Sequence, residues 1–333
     1  MPDRRAVMAL FFGLSAALPA AADELSRFTI LEENDSLWFN SDQHYTQGLR
    51  LSELGPDLRP GSAWAAPFSL FDIFGSAAEE KRRYSVEIGQ SLFTPIDRFL
   101  VPPDPHDRPY GGWLYAGINL LQEDDGHSLE HLEIQMGVVG PDAQGEPVQN
   151  DVHFMIHVQP FYGWHYQIAN EPAGDIAYER YWRVNLLGDG DGIDWVPEIG
   201  GTAGNAFVYG EIGSQLRLGF NLGMDYGAAR IRPSLSGTDY LDSDRSSGDW
   251  GGYLFVGAQG RAVYRNIFLD GNDYSKTTPR VTKVPLVGDL QAGVSLFHAR
   301  GFRIDATSMR RSLEFVGQTH PDVLCTVALG WAW

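Results

Sequence analysis

The last eight residues, Thr326–Trp333, read TVALGWAW. Val327, Leu329, Trp331 and Trp333 alternate in it with small or polar residues. Because successive side chains of a strand point to opposite faces, this pattern predicts a β-strand with one large apolar face. A soluble β-sandwich and a membrane β-barrel both contain strands of this kind, so the stretch by itself predicts β-structure and leaves the two architectures open.

The same alternation returns in Leu114–Leu120, Leu132–Val138 and Leu290–Leu296. In a soluble sandwich the apolar face would point inwards, whereas in a transmembrane barrel it would point to lipid. The chain has 38 Gly, 14 Tyr and 9 Trp, a composition that is typical of barrels with aromatic belts at the two membrane interfaces. A final aromatic residue such as Trp333 is also typical of outer-membrane barrels. These features favour an all-β, closed antiparallel transmembrane β-barrel of the outer membrane.

The first residues predict export. Arg4-Arg5 precedes an apolar run, Ala6–Leu18, and the small residues Ala20–Ala22 follow it. This order is typical of a signal peptide over residues 1–22. An uncleaved membrane anchor is the alternative, but the run is shorter than the roughly 20 residues that a spanning helix needs. We therefore expect residues 23–333 to form a single barrel domain, in which the only cysteine, Cys325, excludes an intramolecular disulfide.

The alternating runs give a strand count of about twelve, an even number as closed antiparallel barrels require. The candidate strands lie near residues 26–35, 45–53, 82–92, 111–122, 128–140, 174–187, 192–200, 207–221, 250–265, 284–298, 300–313 and 323–333. With both ends of the domain in the periplasm, the loops 36–44, 93–110 and 141–173 would be extracellular. Two connections on the other side, 54–81 and 222–249, are too long for hairpins, so they are either true excursions or errors of the count.

The net charge of −18 argues against nucleic acid as a partner, because binding to phosphates needs clustered Lys and Arg. Four acidic residues of one connection could bind divalent cations near a phosphate-rich leaflet, although a solvated acidic loop is the favoured interpretation: Asp239, Asp242, Asp244 and Asp249. Strong acidity otherwise identifies no ligand.

The first predicted hairpin, Glu32–Glu53, carries chemistry. Asn34-Asp35 ends one strand and Thr46 begins the next, which would bring an amide, a carboxylate and a hydroxyl to one end of the sheet. Such a set suits a metal or oxyanion site. The Gly-x-Ser-x-Gly motif of soluble serine hydrolases does not occur in the sequence.

Two further motifs are weaker. His153 and His157 would share a face of a helix and could bind zinc, but no third ligand is evident nearby. Gly188–Asp194 has glycines and acids like a calcium loop, yet its spacing differs from an EF-hand and favours a hairpin turn.

Several motifs resemble the outer-membrane lipid A 3′-O-deacylase family, in the right order along the chain. Asp107–Trp113, DRPYGGW, is similar to the family's Asp-Arg-Pro-Tyr-Ala-Gly-Trp signature. The first hairpin, the segments Gly140–Ala143 and Val148–His153, and the late segment Asn266–Asn272 also resemble it. The resemblance implies a twelve-stranded outer-membrane barrel that removes the 3′-linked acyloxyacyl group of lipid A with calcium.

Carried over by position, the resemblance implies a catalytic site of Asn34, Asp35, Thr46 and His153. His153 would be the general base, Asp35 with Asn34 would hold Ca²⁺, and Thr46 would contact the oxyanion or the attacking water. The family's adjacent Lys-Arg pair is missing, so either Arg98 alone is the substrate-binding cation or phosphate recognition differs from that of the family.

Two other functions remain open. A non-catalytic barrel, either a narrow pore or a lipopolysaccharide-binding protein, would share the fold, and an outer-membrane phospholipase would share the reaction. Four polar residues are expected to fill the lumen and argue against an open channel: Glu87, Glu133, Gln135 and Gln291. The expected partner is lipid A in the outer leaflet, and the expected oligomeric state is a monomer.

Overall fold

The computed structural model describes residues 26–35, 43–74, 80–124, 126–188, 190–233, 238–242, 248–275 and 277–332. The predicted signal peptide, Asp244 and Trp333 lie outside these residues. The described part contains thirteen strands: β1 Arg27–Asn34, β2 His44–Leu54, β3 Glu80–Thr94, β4 Gly111–Asp124, β5 Ser128–Val139, β6 Glu171–Trp182, β7 Val184–Leu187, β8 Gly192–Gly204, β9 Phe207–Phe220, β10 Trp250–Asn266, β11 Leu286–His298, β12 Phe302–Arg311 and β13 Asp322–Ala332.

The strands form one closed antiparallel barrel. Strands that are neighbours in the chain pair with each other, except β6 and β7; β1 pairs with β13, and the pairing of β6 with β8 completes the ring. Tyr181 opposes Glu198 and Val184 opposes Trp195, so β6 and β7 follow the same register along β8. They are two parts of one barrel strand, interrupted near Arg183, and the barrel is twelve-stranded as predicted.

The polar faces of the strands point into the lumen. In β5, Glu133 and Gln135 are buried inside, whereas Ile134 and Met136 lie on the outer surface and are 37% and 72% exposed. The same division holds in β11, where Gln291 and Ser295 are buried. An apolar outside and a polar inside is the arrangement of a membrane barrel and the reverse of a soluble sandwich. Among the described residues, no helix combines the length and apolarity needed to cross a bilayer.

The two ends of the barrel differ. The loop end carries the β1–β2, β3–β4 and β5–β6 connections, and the latter contains helix α1, Gly145–Met155. A second short helix, α2, Ile267–Asp270, follows β10 at this end. The opposite end, where β1 begins and β13 ends, is here called the terminal end. Its β4–β5, β7–β8 and β11–β12 turns are short, as predicted.

Both long connections at the terminal end are true excursions and not errors of the strand count. The β2–β3 connection contains a 3-10 helix over Ala63–Phe74. The described part of the β9–β10 connection, residues 222–233 and 238–242, enters the lumen and is called the plug. Its apolar residues are buried, among them Met224, Tyr226 and Tyr240.

Ion pairs fix the plug to the barrel wall. Arg230 is bound to Glu33 of β1. Arg232 is paired with Glu133 and Glu179 and lies 3.8 Å from Glu211. Since a charge in a dry interior is stable only when it is paired, the acidic lumen and the basic plug require each other.

The solvated-loop interpretation was wrong for Asp239 and Asp242, whereas Asp249 is exposed as expected. Asp239 accepts hydrogen bonds from Arg50, at 3.1 Å, and from Ser52. Asp242 is fully buried and lies 2.8 Å from the Lys81 ammonium. Because they face basic residues of the wall, these carboxylates hold the plug in place.

We predict that Arg232→Met destabilises the barrel by about 3–5 kcal/mol, because it leaves buried carboxylates without their cation. The midpoint of urea unfolding in lipid vesicles measures this loss. The control is Lys283→Met, which breaks a partly exposed pair with Asp270 and should cost less than about 1 kcal/mol. Equal small effects of the two substitutions would contradict a structural role for the plug.

Candidate functional site

The β1–β2 hairpin brings Asn34, Asp35 and Thr46 to the loop end. Asn34 is the last residue of β1, is half-buried, and opposes Gln47 of β2. It shares its outward-facing side with Glu32, whose carboxylate hydrogen-bonds to the side chains of Asn34 and Gln47. Asn34 therefore lies on the outside of the barrel wall and not in the lumen.

Asp35 follows directly and is buried. Its carboxylate accepts a hydrogen bond from the backbone N–H of Gln43, across the mouth of the hairpin. The Gln43 side chain lies 3.5 Å from Asp322, at the start of β13. This contact keeps Asp35 beside the start of β2.

Thr46 occupies an irregular position of β2. The register between β2 and β3 shifts between Tyr45 and Gln47, so Thr46 is an extra residue in the ladder, as in a β-bulge. Its hydroxyl lies 2.5 Å from the hydroxyl of Thr94, the last residue of β3, and both residues are buried. One hydroxyl donates to the other, and the acceptor keeps its own proton for a second partner.

The β5–β6 connection folds back over the outer face of β3 and β4. The Gln90 side chain donates to the Ala143 carbonyl at 2.6 Å, just before α1. At Gly145, the first residue of α1, a Cβ would stand 2.7 Å from the ring of Trp164, so a larger residue does not fit. This packing fixes α1 against the wall.

His153 lies in the last turn of α1 and is only 6% exposed. Its Nδ1 is 2.7 Å from the carbonyl oxygen of Gln159, and its ring packs on Phe161 with a centroid separation of 5.6 Å. Because a carbonyl only accepts, Nδ1 carries the proton. In the neutral ring the basic lone pair is then on Nε2.

Arg98, in the β3–β4 connection, shares both partners of His153. Its Nη1 donates to the Gln159 carbonyl at 3.3 Å, and its guanidinium lies 4.9 Å from the centre of the Phe161 ring. The structure therefore brings the predicted substrate-binding cation and the predicted base into one cluster.

The two halves of the site meet at β3. Leu92 opposes Gln47 in the sheet, one residue from Thr46. On its other side Leu92 packs with Tyr110, Phe161 and Trp164, the aromatic core under the His153 loop. All the predicted site residues thus lie at the loop end, on neighbouring strands and the loop that covers them.

The structure tests the two weaker motifs, the histidine pair and the calcium-like loop. His157 follows the end of α1 in the left-handed region, with φ of 61°, and does not share a helical face with His153. The zinc interpretation, which required a common helix, is therefore wrong. Residues 188–192 form the turn between β7 and β8, as predicted for a hairpin, with Asp189 outside the described residues.

His44 lies in the first hairpin but is not one of the residues predicted for the site. This buried residue begins β2, and its Nδ1 lies 2.7 Å from Asp322 while its Nε2 lies 3.3 Å from Asp107. These three residues connect β2, β13 and the β3–β4 connection. They lie next to Gln43, which precedes His44 in the chain and donates a hydrogen bond to Asp35. Asp107 is the first residue of the DRPYGGW motif, but only the fold brings it close to His44 and Asp322.

The donors present fit a hard cation in their chemistry. Asn34 offers an amide oxygen and Asp35 a carboxylate, and Ca²⁺ prefers oxygen ligands of these types. Within the described ranges, no cluster of three or more His, Cys, Asp or Glu side chains is arranged to hold a metal ion. The assignment of Asn34 and Asp35 as ligands therefore stays a prediction.

We predict that Asp107 stabilises the loop end in a pH-dependent way. Burial opposes its ionisation, but hydrogen bonds from His44, Ile96 and Arg108 hold the pKa of Asp107 below its usual range. The stabilisation is therefore present above an ordinary carboxyl pKa of about 3.9 and is lost as the pH falls through the lowered pKa.

Unfolding midpoints of the wild type and Asp107→Asn, measured across pH, should differ at neutral pH and converge in acid. Asp142→Asn, which changes an exposed acid of the same end, should have little effect. A difference that persists unchanged into strong acid would contradict the role of the Asp107 charge.

Comparison with known proteins supports one family. The model of the family "Outer membrane protein LpxR" matches residues 7–333. The solved structure of LpxR from Salmonella typhimurium has a TM-score of 0.71 and 19% identity, covering 92% of this chain and 99% of that one. No curated protein is significantly similar to the chain.

Two other barrels match less well. The β-domain of the Bordetella autotransporter BrkA has a TM-score of 0.43 and 11% identity, over 93% of this chain and 97% of that chain. An outer membrane channel from Pseudomonas putida F1 has a TM-score of 0.43 and 8% identity, over 95% and 97%. The chain belongs to the outer membrane protein LpxR family, the lipid A deacylase family that its motifs resemble, and is a barrel of the outer membrane.

Proposed function

We propose that this protein hydrolyses the ester that links the 3′ acyloxyacyl group to lipid A. One observation carries the proposal. Asn34 lies on the outward-facing side of β1, and His153 and Arg98 form a cluster in the loops at the same end, where the β5–β6 connection covers the outer face of β3 and β4. A lipid in the adjacent leaflet reaches such a site from the membrane, whereas a soluble substrate of a pore would need the lumen. We infer that the loop end faces the cell exterior, where lipid A lies.

His153 is the general base of this proposal. The Gln159 carbonyl accepts a hydrogen bond from Nδ1–H of His153. The unprotonated Nε2 is therefore free to accept a proton from the attacking water. The hydroxide oxygen bonds to the acyl carbon, and the ester C–O bond breaks when the tetrahedral intermediate collapses. The protonated imidazole then returns the proton to the departing sugar oxygen, which leaves a free hydroxyl and a fatty acid.

The two threonine hydroxyls suit the stabilisation of the intermediate. Thr46 and Thr94 are hydrogen-bonded to each other, and the second proton of the pair can be donated to the oxyanion. Their burial makes this donor stronger than one in water, because a low dielectric strengthens the interaction.

Asn34 and Asp35 would hold Ca²⁺ through their side-chain oxygen atoms. When bound, the cation would polarise the ester carbonyl as a Lewis acid. The hydrogen bond from the Gln43 backbone keeps the Asp35 carboxylate at the hairpin mouth. Negative charge at this point is the contribution of the chain to cation binding.

Arg98 would bind a phosphate of the substrate. Its guanidinium is oriented by the Phe161 ring and by the Gln159 carbonyl, so its charge is held beside His153. Arginine suits phosphate because its planar fork can donate two hydrogen bonds at once.

The first prediction of this proposal concerns the cation. Asp35→Asn should weaken Ca²⁺ binding, measured by calorimetry, and abolish deacylation, measured by mass spectrometry of lipid A, because it removes the carboxylate charge. EGTA should inactivate the wild type, and added Ca²⁺ should restore it. Asp104→Asn is the control, since it removes an exposed charge from the neighbouring connection. Activity that survives both EGTA and Asp35→Asn would exclude a role for Ca²⁺.

The second prediction concerns the base. His153→Ala should lower the rate by about 10²–10⁴-fold, the usual contribution of a positioned general base. His153→Gln should be equally inactive, although its amide can still donate to the Gln159 carbonyl and preserve the loop. His157→Ala is the matched control and should retain nearly full activity, because this histidine is exposed beyond α1. Full activity of both His153 variants would remove the base from the mechanism.

A phospholipase or a non-catalytic barrel would give different products. Mass spectrometry of lipid A and phospholipids, from cells with and without the gene, separates them. Loss of the 3′ acyl group from lipid A supports the proposal, and release of lysophospholipids instead supports a phospholipase. Unchanged lipids together with conductance in planar bilayers would support a pore. That result would conflict with the lumen of the described residues, which the plug fills.

A further inference from the structure

The β2–β3 connection at the terminal end lies on the outside of the barrel. Its 3-10 helix Ala63–Phe74, here called the collar segment, buries Phe68 and Phe71 completely. The two rings pack on a row of outer-face residues that oppose each other across β3, β4 and β5: Tyr84, Leu120 and Leu132. Tyr84 also donates a hydrogen bond to the Trp64 carbonyl at 2.8 Å, which fixes the start of the collar segment.

This row is the border between two kinds of surface. One step towards the loop end, the outer-face row is apolar and belongs to the broad apolar surface of the barrel: Val86, Ile118, Ile134 and Ile176. One step towards the terminal end, the row is polar: Arg82, Gln122, Glu130 and Arg180. Side chains change in this way where hydrocarbon gives way to headgroups, so the collar segment follows that boundary.

The outward surface of the collar segment is apolar as well. Trp64, Leu70 and Ile73 are 54%, 44% and 77% exposed. Asp72 is the one charged residue of its sequence, AWAAPFSLFDIF. An exposed apolar surface of this kind marks a contact with another molecule, and here it is continuous with the apolar belt of the barrel.

Cations stand beside this surface. The Arg82 guanidinium lies 5.6 Å from the centre of the Phe68 ring and donates to Gln122 at 2.8 Å. Arg180 lies 5.5 Å from the Trp182 ring. In a lipid leaflet the negatively charged headgroup phosphates lie next to the apolar acyl chains. Arginines at the terminal edge of an apolar protein surface are complementary to this arrangement.

We propose that the collar segment is a membrane-inserted element, which lies in the plane of the leaflet at the terminal end. Its outward residues contact phospholipid acyl chains, and the neighbouring arginines contact the headgroup phosphates. The segment thereby broadens the lipid-contact surface of the barrel on the side of β3 to β6. This inference is independent of the proposed deacylation, since it concerns the opposite end of the molecule.

A spin label can test this insertion. Cys325 is the single cysteine and is buried, so Cys325→Ala gives a background for one label at Ile73→Cys. The folded, heat-modifiable protein is placed in phosphatidylglycerol–phosphatidylethanolamine vesicles, and accessibility to O₂ and to a nickel chelate is measured by power saturation. Met136→Cys, in the apolar belt, is the lipid reference, and Arg300→Cys, in the exposed β11–β12 turn, is the water reference.

We expect the Ile73 label to be more accessible to O₂ than to nickel, with a positive logarithmic ratio between zero and the Met136 value. A negative ratio like that of Arg300 would place the segment in water and overturn the proposal. Low accessibility to both reagents would mean that protein covers Ile73, and would overturn it equally.

Discussion

The constraint on which this structure depends is that hydrocarbon offers no hydrogen-bond partner to a peptide group. A sheet in a bilayer must therefore pair every strand on both sides, and it does so only by closing. Here the closure requires the pairing of β6 with β8, while β7 continues β6 along the same partner. Alternation of side chains then divides each strand into a lipid face and a lumen face.

Closure of the barrel encloses carboxylates in the lumen, and the plug supplies their partners. The side chains that the strands direct into the lumen include many buried carboxylates. The plug supplies Arg230 and Arg232 to Glu33, Glu133 and Glu179. It also inserts apolar residues such as Ile231, which packs on Leu31 of β1. Neither the acidic wall nor the basic plug is stable in this interior without the other.

The outside of the wall carries the rest of the function that we propose. At the loop end, the β5–β6 connection covers β3 and β4 and holds His153 in one cluster with Arg98 of the β3–β4 connection. At the terminal end, the collar segment covers β3 to β5. Both excursions therefore lie on the same group of strands.

The strands could be predicted from the sequence, because period-two alternation is a local property of each strand, and so could the motifs around Asn34, Asp35, Thr46 and His153, because they are contiguous segments. It could not orient the two faces, since apolar side chains point inwards in water and outwards in lipid. It also left 54–81 and 222–249 undecided, because their residues match partners far away in the chain. Only the tertiary structure decided that Asp239 and Asp242 are paired in the lumen, that Phe68 and Phe71 pack outside it, and that His44 lies between Asp107 and Asp322. These contacts join residues up to 278 positions apart, and no local pattern encodes such a distance.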